Sequence, residues 1–186
     1  TKFSAAYDVQ ANKFGQGQSG GSFEGYVNVP LSDRAAVRLV AYYGHDGGFI
    51  SNEPASFTYQ RWNADNTVAD PITVNNLPQV KSDFNGVDTF GGRAALKFDF
   101  ADTWSITPMY MYQYAKTEGA FIFDPKVGDL KLADFRPDYN KDSWYQTALT
   151  IQGKVGNLDL LYSGGYFRGQ VNNKIDYTGY TIAYDT

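Results

Sequence analysis

The side chains able to carry chemistry are few and scattered along this chain. His45 is the single histidine, in the stretch YYGHDGG. A Ser/His/Asp triad would require it, yet no nucleophile elbow surrounds it, and a histidine at a loop edge is ordinarily solvated. The segment NADNTVAD, residues 63–70, offers Asn63, Asp65, Asn66 and Asp70 as oxygen ligands of the kind Ca²⁺ accepts. It lacks the fixed spacing and closing Glu of a calcium loop, so turn-forming polar residues are the weightier reading. FDPKVGDLK, residues 123–131, reads as a turn because Asp-Pro and Gly128 punctuate it. The clusters GQGQSGG, GHDGG and FGG neither follow a strand to open a helix nor carry a Walker lysine, so they are not phosphate loops. Without cysteine there are no disulfides, thiolate metal sites or Cys nucleophiles. The residues point to no catalytic group, no metal site and no cofactor, and the expectation is a protein that binds without catalysing a reaction.

Binding chemistry is better supplied. Two long connecting segments are rich in aromatic rings: Phe49, Tyr59 and Trp62 with Arg61 in the first, and Phe121, Phe123 and Tyr139 with Arg136 in the second. Aromatic faces stack on sugar rings or planar chelates, and the two arginines add hydrogen-bond donors. The alternative is that these rings pack the loops together. With 16 basic and 20 acidic residues the net charge is −4, and no basic run occurs. Nucleic acid is therefore not an expected partner, because phosphate binding needs clustered positive charge.

The elements that must position these residues are strands. In FEGYVNVPLSDRAAVRLVAYY, residues 23–43, apolar side chains alternate with others on both sides of LSDR, the pattern of a β-hairpin. Similar alternation marks residues 2–13, 87–100, 104–117, 143–154 and 158–168, which makes seven strands with the hairpin. The tail VNNKIDYTGYTIAYDT reads either as loop or as a ragged eighth strand. Short turns, LSDR, ADT and VGN, join alternate strands, whereas the other connections run to roughly forty and twenty-five residues.

Short turns at one end and long loops at the other match a transmembrane β-barrel, as do strands of about ten residues. Trp104 beside a short turn, with Tyr43, Tyr112 and Tyr114 toward the long loops, would suit interfacial girdles. No apolar run is long enough for a membrane helix. The rival is a soluble or surface carbohydrate-binding β-sandwich with the same rings in its core. The chain opens TKFSAAYDVQ, without Met or an apolar leader, and so reads as a mature segment or a fragment.

SGGSFEGYVNVPLSDRAAVRLVAYYGHDGGFI resembles the early barrel of TonB-dependent outer-membrane receptors: a Gly-rich loop, a strand, an L-S-D-R turn, an R-L-x-x-Y-Y strand and a Gly-Phe-Ile exit. VDTFGGRAALKFDFADTWSITPMYMYQ and KDSWYQTALTIQGKVGNLDLLYSGGYF resemble later hairpins of that family. The resemblance implies an all-β, antiparallel up-and-down transmembrane barrel of 22 strands, of which this chain would hold about seven or eight, starting after the plug. It implies a receptor in the outer membrane of a Gram-negative bacterium that imports a siderophore, cobalamin or an oligosaccharide. Its partners would be outer-membrane lipid, its own plug and remaining strands, the energy-transducing TonB protein and a small-molecule ligand. A TonB-box, a plug and a terminal aromatic are not seen in the sequence. A passive porin shares every strand feature.

Strand parity then assigns faces. Glu24, Arg38, Arg93, Lys97 and Gln113 would face the lumen or plug. Val27, Val37, Leu39, Leu96 and Phe98 would face lipid, together with Ile106, Leu149, Ile151 and Leu160.

Overall fold

A computed structural model describes residues 2–178 and 180. Its main element is a seven-stranded antiparallel sheet in which chain order equals spatial order. The strands are β1 (Ser4–Lys13), β2 (Ser19–Ser32), β3 (Ala35–Asp46), β7 (Val87–Ala101), β8 (Trp104–Glu118), β10 (Tyr139–Val155) and β11 (Leu158–Lys174). The intervening short strands are β4 (Ser51–Asn52), β5 (Ser56–Trp62), β6 (Val68–Asn75) and β9 (Lys131–Leu132), with one 3-10 turn at Leu77–Gln79.

The expected strands are present and mostly longer than the alternation indicates. β10 and β11 each run 17 residues, against about five or six in an ordinary strand. Residues 171–174 of the tail continue β11, and among the described residues beyond them no eighth strand of the sheet forms. The remainder of that expectation, residues 179 and 181–186, lies outside the described residues. Two-residue turns at 33–34, 102–103 and 156–157 occupy one end. The first two are tied by an ion pair, Arg34 Nη2 to Asp102 Oδ1 at 2.8 Å. The segments 14–18, 47–86 and 119–138 occupy the other end.

Residues opposite one another in a ladder point to the same side, so the register fixes two faces across the sheet. One row of partners is Val27, Leu39, Ala94, Tyr110, Thr147 and Tyr166, and the next is Val29, Val37, Leu96, Pro108, Leu149 and Gly164. All nine residues expected on the apolar face lie there. Glu24, Arg38, Arg93, Lys97 and Gln113 share the opposite face. Along β3 that polar face is the less accessible one: Arg38, Val40 and Tyr42 are half-buried, whereas Leu39, Ala41 and Tyr43 are exposed. Crowding on one side is what curvature toward that side produces, and on this ground the polar face is termed concave and the apolar face convex.

Two glycines make room for large side chains. A Cβ at Gly91 would collide with the Tyr42 ring, which crosses β7 to donate its hydroxyl hydrogen to Gln113 Oε1 on β8 at 2.8 Å. A Cβ at Gly153 would collide with Trp104, so the indole lies flat over the glycine on the convex face.

The buried side chains are elsewhere. Ile50 and Leu132 are the buried hydrophobic residues among those described, and both belong to the long connections. They sit at a parallel pairing of β4 with β9, which joins segment 47–86 to segment 119–138. Around them three buried asparagines hold backbone groups that would otherwise be orphaned. Asn52 donates to the Gln79 and Asp134 carbonyls and accepts from the Asp134 amide, at 2.8 to 2.9 Å. Asn76 donates to the Glu53 and Asp134 carbonyls and accepts from the Ala55 amide at 2.7 Å. Asn85 Oδ1 accepts from the Phe49 and Ile50 amides at 2.7 and 2.8 Å. The long connections are therefore folded, with a side-chain amide core.

Asn76→Ala removes one acceptor and two donors from this core, which costs about 1 to 3 kcal/mol of local stability. Hydrogen exchange at the Ala55 amide should accelerate about tenfold or more, while the Leu39 amide in the sheet ladder keeps its protection.

Candidate functional site

The folded connections form a cavity of about 790 Å³ between the β1–β2 loop, the two ends of segment 47–86 and the turn before β9. Phe14 and Phe49 form its apolar wall, with ring centroids 5.8 Å apart. Phe121 continues the row, 6.1 Å from Phe49. Gln16, Ser51, Ser82, Asp83, Asp129 and Lys131 add the polar groups. An aromatic wall with a few directed polar groups fits a small molecule with ring faces and hydroxyl or amide edges.

Backbone strain is concentrated at this cavity. Asp83 (φ 49°) and Leu130 (φ 53°) are two of three non-glycine residues with left-handed backbone among the described residues, and both line it. Such conformations cost of order 1 kcal/mol or more and persist where their surroundings over-determine them. Leu130 is held by its carbonyl, which accepts from the Ser51 amide at 3.0 Å, and by Gly128, whose φ of 146° closes the preceding turn. Asp83 is held by its amide donating to Ser51 Oγ at 3.1 Å.

The eight aromatic and arginine candidates fall in several places. Phe49 lines the cavity just described, and Phe121 stands beside Phe49 outside that lining. Tyr59 and Arg136 line a second cavity, of about 440 Å³, with Phe57 and Phe135. Arg136 and Tyr139 line a third, of about 340 Å³. Arg61 and Trp62 lie outside all three, at the far end of the β5–β6 hairpin, and Phe123 is exposed. Tyr59, Arg61 and Trp62 belong to a strand and Tyr139 opens β10, so these four are placed by ladders where irregular loop was expected. Phe14, Gln16 and Asp83 were not singled out by sequence reasoning. The GQGQSGG glycines flag the Phe14 loop only as a turn, and nothing local marks that it folds against Phe49.

The other chemistry-bearing stretches are structural. His45 Nδ1 lies 2.8 Å from Asp88 Oδ1, which also accepts from the Tyr43 hydroxyl at 2.9 Å, with no nucleophile in the arrangement. Residues 63–67 form the β5–β6 turn, where Asp65 accepts from Thr67 and Asn66 takes a left-handed conformation. Asp70 belongs to β6.

The loop carboxylates have perturbed acidities. Burial pushes Asp134 up to about 6, and the nearby Asp176 and Asp138 charges add to the shift. Asp138 is raised by burial and then by Asp176. Asp176 is lowered: burial opposes ionisation, but hydrogen bonds from Thr178 and from the Phe135 and Arg136 amides outweigh it. Asp134 binds its proton more tightly folded than unfolded, so its contribution destabilises the folded loops above about pH 6 and disappears as pH falls toward 4. The segment 119–138 should therefore open less at pH 5 than at pH 7, read by exchange of the Asp134 amide after correction for intrinsic rates. Asp134→Asn should reduce that difference.

No known family, curated protein or solved structure matches this chain.

Proposed function

We propose that this chain is part of the wall of a 22-stranded transmembrane β-barrel that imports a small ligand across a Gram-negative outer membrane without catalysing a reaction. The observation that carries this reading is the convex face. Phe23, Tyr43, Phe90 and Tyr114 form one register row toward the long loops. Phe98, Phe100 and Trp104 stand toward the short turns. Between the row through Val27, Leu39 and Tyr110 and this lower aromatic set, the ladder places no charged residue on the convex face. From Phe90 to Phe100 is about 33 Å at roughly 3.3 Å per residue, or about 25 Å of height at a tilt near 40°. That is the height of the apolar band in an outer-membrane barrel.

A soluble sandwich would cover this face with a second sheet. Among the described residues it is bare: Leu39 is 45% exposed and Tyr110 48%. The outer edges of β1 and β11 are likewise unpaired within the sheet, which in lipid would leave backbone groups unsatisfied, so the reading requires further strands. The ligand class, a siderophore, cobalamin or an oligosaccharide, rests on the family resemblance and on the aromatic cavity. The plug and TonB as partners, and the roles of Glu24, Arg38, Arg93, Lys97 and Gln113 toward them, rest on that resemblance and on the concave face.

The test uses the full-length polypeptide refolded into lipid vesicles. Leu39→Arg should destabilise the inserted form by about 2 to 4 kcal/mol in a denaturant titration if it lies near the midplane, whereas Thr150→Arg on the concave face should cost much less. Equal effects would overturn the assignment of faces. Phe49→Ala with Phe121→Ala should weaken ligand uptake by cells about tenfold or more, at unchanged surface amount.

A further inference from the structure

The convex face is not uniformly charged along its height. The ladder puts Lys13, Lys116, Lys141, Arg168 and Lys174 on it, all toward the long-loop end. Its two acids, Asp88 and Glu118, are at the same end and already engaged: Asp88 with His45, and Glu118 with Lys116 at 2.6 Å and Lys81 at 2.9 Å. The other cations in strands of the seven-stranded sheet, Arg38, Arg93, Lys97 and Lys154, lie on the concave face.

Four of the five convex cations are clustered on the neighbouring strands β8, β10 and β11, with Arg168 level with the aromatic residues Tyr112 and Tyr145 and Lys116, Lys141 and Lys174 beyond them. Lys116 and Lys141 are direct cross-strand partners. Like charges so placed repel, and only Lys116 has a carboxylate. Lys141 instead lies 5.0 Å over the Tyr139 ring. Arg168 is the partner of Tyr145, and Lys174 the partner of Tyr139. Beside Lys116 and Lys141 opens the cavity of about 340 Å³, where segment 119–138 contributes Arg136. Asp134 and Asp138 stand on this loop wall, while both lysines belong to the strand wall.

Resting on the barrel reading, we infer that this patch binds the phosphorylated headgroup of a lipid in the leaflet on the long-loop side. Position argues for a lipid over a free anion. The cations follow directly on the apolar band, at the height where a headgroup sits when its acyl chains lie against Tyr110, Leu149 and Tyr166 of the same strands. A phosphate there would relieve the repulsion between Lys116 and Lys141 and accept from Arg136, while Arg168, four residues nearer the apolar band, would meet the same headgroup on its acyl side. The short-turn end of the convex face carries no such set, so the preference is for one leaflet.

The full-length protein, folded in nanodiscs of phosphatidylcholine with or without phosphatidic acid, is analysed by native mass spectrometry for retained lipid. Phosphatidic acid should be retained in preference to phosphatidylcholine. Lys141→Gln with Arg168→Gln should weaken that preference about thirtyfold, about fivefold for each cation near a membrane surface. Lys97→Gln with Lys154→Gln, on the concave face, should leave it intact. Insertion without preference for phosphatidic acid, or equal loss in both double variants, would overturn the inference and leave the barrel reading standing. Displacement of the lipid by inorganic phosphate at similar concentration would identify a free-anion site and overturn the lipid assignment. Failure to insert at all would remove both.

Discussion

A continuous ladder of backbone hydrogen bonds from β1 to β11 decides where every other group in the sheet can stand. Because successive side chains alternate and ladder partners share a side, one register assigns each strand residue to a face. A slip by one residue anywhere would exchange the two faces of that strand. The arginine-bearing concave face and the uncharged convex band are two readings of the same constraint. Small adjustments serve it locally: Gly91 lets Tyr42 reach across to Gln113, and Gly153 lets Trp104 lie flat. On the concave side, Arg38 lies 4.0 Å over the Tyr26 ring and donates to Asn28 Oδ1 at 3.4 Å.

Burial is distributed opposite to the usual pattern. An ordinary domain buries the apolar faces of its long elements and leaves its connections in water. Here the long strands expose many of their apolar side chains, and the fully buried residues among those described are in the connections. The loops are consequently held by directed hydrogen bonds and a small apolar contact, which gives shape at the cost of little hydrophobic stabilisation.

This difference explains what could be read from the sequence. Alternation with a period of two survives whether the apolar face meets core, lipid or water, so the hairpin at 23–43 and the face assignments of Leu39 and Arg38 were legible. The loop architecture was not, because its key residues are asparagines, a type that local rules associate with turns. Asn52, Asn76 and Asn85 act between segments distant in sequence, and no local pattern announces that. The β5–β6 hairpin was obscured for a related reason: Pro71 and the Asn-Asp turn interrupt its apolar residues. Scattering of the aromatic candidates over three cavities follows from the same non-local folding.

The pairing of β4 with β9 has a mechanical meaning. Two excursions leave the sheet from different hairpins, and each by itself would be a tether free to swing about its own pair of strands. Joined through Ser51 and Asn52 to Lys131 and Leu132, they become a strut spanning β3, β7, β8 and β10. Spreading those strands at the rim would stretch the strut, and a push on one excursion is shared by the other. This end of the sheet is thereby braced by about sixty residues that belong to none of its seven strands.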